Sequence, residues 1–307
     1  MNLAQRAVRG RAWQARLPGM TQASPDTPLT LSLGALQQWH AALQRALAHS
    51  ETPEALAHVA AAIGQLVQVE SMMISLECQG RAPQLLYQQG IPDLHRAAVL
   101  ERYFTAGYLL DPFCLAVQSG LAEGFYHLQE IAPDNFFDSD YYKAYYLGTG
   151  CSEDSYYIVD LSAGRKLSLS LFQGCSGTRL SAGQIDLLRA LEPMVRELLG
   201  RYARHHLEPG PASAERGSLQ AAFDSFGCQV LTDREREVAH MILRGHSVKS
   251  TALELGISPE TVRMHRKNLY LKLEINSQSE LFARFIDWLR GDHLPAWQQR
   301  SNCLTQI

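Results

Sequence analysis

Apolar residues in the first part of the chain recur at helical spacing and then at strand spacing. Leu33, Leu36, Trp39 (or His40), Leu43 and Leu47 fall on one face of a helix. Thr52-Pro53-Glu54 has the form of a cap with proline at the first helical position, and leads into Leu56, Val59, Ile63 and Leu66. Short apolar runs follow, "SMMISLEC" at 71–78 and "QLLYQQ" at 84–89, which predict strands. Residues 94–106 return to a helical pattern. "DSYYIVDL" and "KLSLSLF" flank the turn "SAGR", a β-hairpin whose second arm alternates strictly. Ser181 caps a further helix carrying Ile185, Leu188, Leu191, Val195 and Leu198 on one face, in which Pro193 predicts a kink.

After residue 206 the period breaks. "HLEPGPASAERG" concentrates Pro, Gly, Ser and Ala and reads as a linker. Beyond it the helix signals are dense. Thr232 and Glu235 form a capping box ahead of Val238, Met241 and Ile242, and Gly245 stops that helix. Ser247 starts "VKSTALEL", Gly256 ends it, and Ser258-Pro259-Glu260 starts a third helix. Two short helices joined by "GIS" have helix-turn-helix spacing. The fold expected is α+β: an N-terminal α/β/α sensor sandwich of PAS/GAF-like shape, followed by a small all-α four-helix helix-turn-helix domain. The predicted boundaries are a basic extension at 1–30, the sensor at 31–206, a linker at 207–228, the helical domain at 229–291 and a tail at 292–307.

In the third helix Val262, Leu269 and Leu273, with His265 or Arg266 between them, form a thin apolar stripe. Arg263, Met264 and Lys267 lie on the opposite side. A B-DNA major groove admits one helix, and Arg or Lys there can donate to guanine O6 and N7. Lys249 and Lys272, with Ser258, Thr261 and Arg266, are placed for the phosphate backbone. A basic helix face on its own is more often simply solvated; here cap, turn, second cap and basic face arrive in order.

The net charge is −3, so a nucleic-acid site must be local. No apolar run reaches the roughly 18–20 residues a membrane span needs, and the arginine-rich N-terminus lacks the apolar core of a secretory signal. The six cysteines include no C-x-x-C pair, and the histidines, His205-His206 included, show no ligand spacing. Reduced cytoplasmic thiols, no metal and no cofactor are expected. No nucleophile elbow, phosphate loop or paired-carboxylate signature occurs, so no catalytic residue is assigned.

Residues 231–283 resemble the LuxR/GerE-type helix-turn-helix of bacterial transcription regulators, through "LTDREREV", Gly245-x-Ser247, "ELGISPETV", His265 and "NLYLKL". The resemblance implies that Arg263, Met264 and Lys267 read bases. The chain departs from the pattern at Thr251, where the family has an aliphatic residue, and at Gln278, where it often has Arg.

"YFTAGYLLDPF" (103–113) and "LGTGCSEDSYYIVDLSAGRKLSLSLF" (147–172) resemble the ligand-binding domain of quorum-sensing LuxR-type receptors. That implies a ligand site including Tyr103, Tyr108, Asp111, Phe113, Phe125 and Ser155. Core aromatics plus a helix-capping Asp would account for Tyr103, Tyr108 and Asp111 equally well. No tryptophan lies between Trp39 and Trp288, so both family pocket tryptophans are missing. The reading is therefore a promoter-binding homodimer with a small-molecule effector other than a standard acyl-homoserine lactone, with RNA polymerase as a further candidate partner. An acyl-homoserine lactone receptor is the alternative. Phosphorylation control is disfavoured, because the first 60 residues hold only Asp26, Glu51 and Glu54 as acids.

Overall fold

The computed structural model describes residues 30–78, 81–105, 107–161, 164–207 and 225–290. The basic arm to residue 29, linker residues 208–224, Ser162 and Ala163 of the hairpin turn, and the tail from 291 lie outside them. The N-terminal part begins with α1 (Leu33–Ala48), α2 (Ala55–Gly64), β1 (Ser71–Cys78) and β2 (Gln84–Gln89). A helical stretch follows: α3 (Asp93–Arg96), a π-helical segment (Ala97–Arg102) and α4 (Tyr103–Thr105), then α5 (Pro112–Gln118). β3 (Gly124–His127), α6 (Leu128–Ile131), β4 (Glu153–Asp160), β5 (Arg165–Gln173) and α7 (Ala182–His206) complete it.

The five strands form one antiparallel sheet in the order β2-β1-β5-β4-β3. The β4–β5 hairpin runs in register from Glu153–Gln173 to Asp160–Lys166. Strand parity sorts the side chains. Leu167, Leu169 and Leu171 of β5, Met72 and Ile74 of β1, and Tyr157 and Val159 of β4 pack with α1, α2 and α7. Tyr156 and Ile158 join the opposite layer, with Phe113, Leu128, Phe136, Tyr141 and Tyr146. Both faces are covered, so the alternation in β5 does not separate core from solvent. Ser168 and Ser170 are 2% exposed, and the Ser168 hydroxyl donates to Glu77 at 2.7 Å.

Several local expectations change. The buried face of α1 is centred on Ala42 and Ala46, small enough for close approach to α2, while Leu33 and Leu47 stand 71% and 42% exposed. Thr52 does not cap α2; its hydroxyl donates back to the His49 carbonyl at 3.1 Å, and the helix starts at Ala55. The helix expected at 94–106 widens into a π-helical segment. Helix α7 is assigned continuously through Pro193.

Helices α8 (Asp233–Leu243), α9 (Val248–Leu255), α10 (Pro259–Leu273) and α11 (Gln278–Arg290) make the C-terminal part. Val238, Val262, Leu269, Leu281 and Phe285 are at most 1% exposed and form its core. Thr251 is buried there with its hydroxyl unpartnered. An unsatisfied buried hydroxyl is destabilising, whereas valine has its shape without the hydroxyl. Thr251→Val is expected to stabilise the protein by about 1 kcal/mol, read as a rise in melting temperature by calorimetry. Gln278, the other departure, donates from Nε2 to the Ile242 carbonyl at 3.4 Å and so ties α11 to the end of α8.

Candidate functional site

The third C-terminal helix is fixed from both ends. Ser258 Oγ accepts from the Thr261 N–H at 3.1 Å and pairs with the Thr261 hydroxyl at 2.9 Å. The capping box at α8 is closed, the Thr232 N–H donating to Glu235 at 2.9 Å and the Glu235 N–H to Thr232 at 3.3 Å. Lys272 donates to the same Glu235 carboxylate at 2.7 Å. Its ammonium therefore ties the end of α10 to the start of α8 while the residue stays exposed.

Val262, Leu269 and Leu273 are buried, and His265, half-buried, fills the middle of the stripe while Arg266 is exposed. Arg263, Met264 and Lys267 are exposed on the other side, and Lys249 is exposed in the first turn of α9. Arg263 pairs with Glu260 at 2.9 Å on the surface. The charges thus form a solvent-facing ridge on a helix whose opposite side is locked into a core.

The N-terminal layer touches this part at a defined place. Asp134 accepts from the Ser247 N–H at 3.0 Å and from the Ser247 hydroxyl at 2.6 Å. Burial raises the Asp134 pKa, but the Ser247 bonds outweigh that and hold it below the usual carboxylate range. The Asn135 N–H donates to the Gly245 carbonyl at 3.0 Å. Gly245 has φ +88°, and a Cβ there would lie 2.8 Å from Phe136 Cα, so only glycine permits this approach. The Ser279 hydroxyl donates to Asp140 at 2.9 Å. Phe136 in turn packs its ring 5.6 Å from those of Tyr142 and Tyr146.

Tyr146 also lines a cavity, about 630 Å³ with the open solvent at its mouth included. Of the expected ligand residues, Tyr103 and Asp111 line it. Tyr108 is buried outside the lining, and Phe113 lies behind it, its ring 3.7 Å from that of the lining residue Tyr156. Phe125 and Ser155 also lie outside the lining. Strand parity sends Phe125 into the α7-side layer beside Tyr157, and Ser155 bonds the His127 ring at 2.9 Å. His127 is pushed down to about 4, chiefly by burial, and is neutral there. The sequence reading missed Tyr141, Tyr145 and Tyr146, which line the cavity with Tyr156 and Phe172. Their signal is "YYKAYY", four tyrosines in six residues without a helical or strand period.

Asp111 caps α5, its Oδ1 accepting from Phe113 N–H at 2.7 Å and Cys114 N–H at 3.2 Å, while Oδ2 accepts from the Tyr103 hydroxyl at 3.0 Å. The Asp that caps and the Asp that faces the cavity are one residue. Burial pushes it up to about 6. Among the described residues no group of His, Cys, Asp and Glu could hold a metal ion, and no helix is long and apolar enough to cross a membrane.

The sequence is similar to those of known proteins. Residues 229–285 match the family described as bacterial regulatory proteins, luxR family. A putative HTH-type transcriptional regulator of Aeromonas salmonicida is 32% identical over 187 residues, 58% of this chain and 94% of that protein. The transcriptional regulatory protein UhpA of Escherichia coli is 49% identical over 57 residues, 19% of this chain and 29% of UhpA. The solved VqsR LBD domain of Pseudomonas aeruginosa is 26% identical with a TM-score of 0.47, covering 55% of this chain and 98% of that one. With a helix-turn-helix of matching motif at 229–285 and a relative aligned over nearly its whole length, this chain belongs to the luxR family of bacterial regulatory proteins, as a transcriptional regulator rather than an enzyme.

Proposed function

We propose that the protein binds double-stranded promoter DNA as a homodimer through α10, and that a small molecule in the cavity controls the binding. The observation that supports this best is the division of α10: Arg263, Met264 and Lys267 are exposed, while Val262, Leu269 and Leu273 lock the opposite side into the domain. Arg263, Met264 and Lys267 read bases; Lys249, Ser258, Thr261 and Arg266 meet phosphates. The absence of tryptophan between Trp39 and Trp288 favours an effector other than a standard acyl-homoserine lactone.

Control runs through residues 133–149. This segment presents Asp134, Phe136 and Asp140 to the helical domain and Tyr141, Tyr145 and Tyr146 to the cavity. It is built of short 3₁₀ and π-helical pieces, the kind of segment that often marks a hinge or a functional site. In a helix-turn-helix the helix preceding the recognition helix crosses the DNA backbone, and helix N-terminal N–H groups suit phosphate. Asp134 occupies that position on α9 and competes with DNA for it. Filling the cavity shifts the tyrosines and releases the contact.

The test is selection of duplexes from a random pool by the full-length chain. A two-fold symmetric site with half-sites about one helical turn apart is expected. Enrichment of no sequence, or of asymmetric single sites only, would overturn the dimeric reading.

A further inference from the structure

The cavity sits over an unusual concentration of buried acid. Asp111, Asp154 and Glu77 are 2%, 1% and 9% exposed; Asp111 lines the cavity, Asp154 bonds the lining residue Tyr146, and Glu77 accepts from Cys114, whose N–H donates to Asp111. Each influences the next: burial first and then Asp111 raise Asp154, while burial and, more weakly, Asp111 raise Glu77 to about 7. Among the described residues no Lys or Arg lines the cavity; its charged or titratable lining consists of Glu70, Asp111 and His95 besides tyrosines and cysteines. Glu70 is already held by the N–H groups of Gly174, Cys175 and Ser176.

Two polar atoms at this place are unsatisfied. The Tyr141 hydroxyl, on a lining residue 1% exposed, has no partner, and neither has Asp154 Oδ1. The other oxygen of Asp154 accepts from the Tyr146 hydroxyl at 3.0 Å. Tyr141 feels both Asp111 and Asp154, so its hydroxyl lies in the field of both acids. Buried carboxylates without a cation are costly in any protein, and native structures rarely leave buried polar atoms unpaired. A donor carrying positive charge would satisfy the ionised form of these acids together with both unpaired atoms. The surrounding rings of Tyr103, Tyr145, Tyr146, Tyr156 and Phe172 offer the π-faces on which a cation is stabilised.

We infer that the effector is a small amine, protonated when bound, whose ammonium group is held by Asp111, Asp154 and the Tyr141 hydroxyl and whose apolar or aromatic body fills the tyrosine-lined cavity. The inference rests on the reading of the cavity as an effector site and names the effector's class. It disfavours carboxylates and phosphates, since among the described residues no Lys or Arg lines the cavity. It also separates the site from one in which protonated acids donate to a neutral carbonyl; in that case a neutral ligand binds best.

The experiment is a calorimetric and thermal-shift titration of the full-length chain with matched probes. These are 2-phenylethylamine, 2-phenylethanol and phenylacetate; octylamine, octanol and octanoate; and octanoyl-homoserine lactone. The amines are expected to raise the melting temperature and to bind at least about tenfold tighter than their alcohols, with no response to the carboxylates. Asp154→Asn and Tyr141→Phe, neither of which removes a helix cap, are expected to lower amine affinity about tenfold or more while the ligand-free melting temperature stays the same or rises. Asp111→Asn, which retains the cap on α5, should do likewise. Tighter binding of an alcohol, a carboxylate or the lactone would overturn the amine assignment and leave the effector reading standing. Amine binding unchanged in all three variants would also overturn it. Binding of no probe would count against the effector site itself.

Discussion

Replacing Arg263 with alanine is expected to weaken binding to a selected duplex roughly 5- to 150-fold, about 1–3 kcal/mol, and to relax preference at one base pair. The exposed ion pair with Glu260 does not hold the side chain back, since surface pairs are worth about 0–1 kcal/mol. The guanidinium is therefore available to a base edge, where a bidentate contact to guanine is worth more. Fluorescence anisotropy on cognate and scrambled duplexes separates the roles. A loss confined to the cognate duplex marks base reading; an equal loss on both reassigns Arg263 to phosphate. Because Arg263 is exposed and outside the core, the variant should melt with the parent protein.

Asp134→Ala is expected to act in the opposite direction, raising DNA affinity in the absence of effector about tenfold. A hydrogen bond to a charged group is worth about 1.5–3 kcal/mol, and Asp134 makes two with Ser247, at 3.0 and 2.6 Å. Removing them frees the first turn of α9, where Ser247 and the exposed Lys249 stand, for the DNA backbone. Because a phosphate carries no sequence information, the gain should appear on cognate and scrambled duplexes alike. Asp134→Asn keeps the shape and loses the charge, and should fall between. Unchanged affinity in Asp134→Ala would mean that the contact between the two parts does not compete with DNA.

The helical domain was legible because its signals are local. Thr232, Ser247 and Ser258 cap by side-chain bonds three residues long, and the apolar stripe of α10 repeats at helical spacing. Four of the five strands were equally readable, two from their runs and two from the hairpin turn; the four-residue edge strand β3 was too short to show a period. What the sequence did not disclose depends on contacts distant along the chain. The parity of β4 relative to the cavity is set by pairing with β5, so Ser155 and Phe125 could not be placed from their neighbours. "YYKAYY" has no regular period because it forms π-helical turns that bring tyrosines to one wall. Lys272 looked like a free cation, and its partner Glu235 lies 37 residues away. The Asp134–Ser247 contact spans 113 residues and has no local signature.

The most direct measurement is the affinity of the full-length protein for its selected duplex and for a scrambled one across a salt series. A dimer neutralising about 6 phosphates should lose on the order of 10³-fold in affinity between about 50 and 200 mM salt, with log affinity falling linearly against log salt. It should also keep a preference for the selected duplex throughout. A flat salt dependence, or equal affinity for both duplexes at every concentration, would contradict DNA recognition through α10.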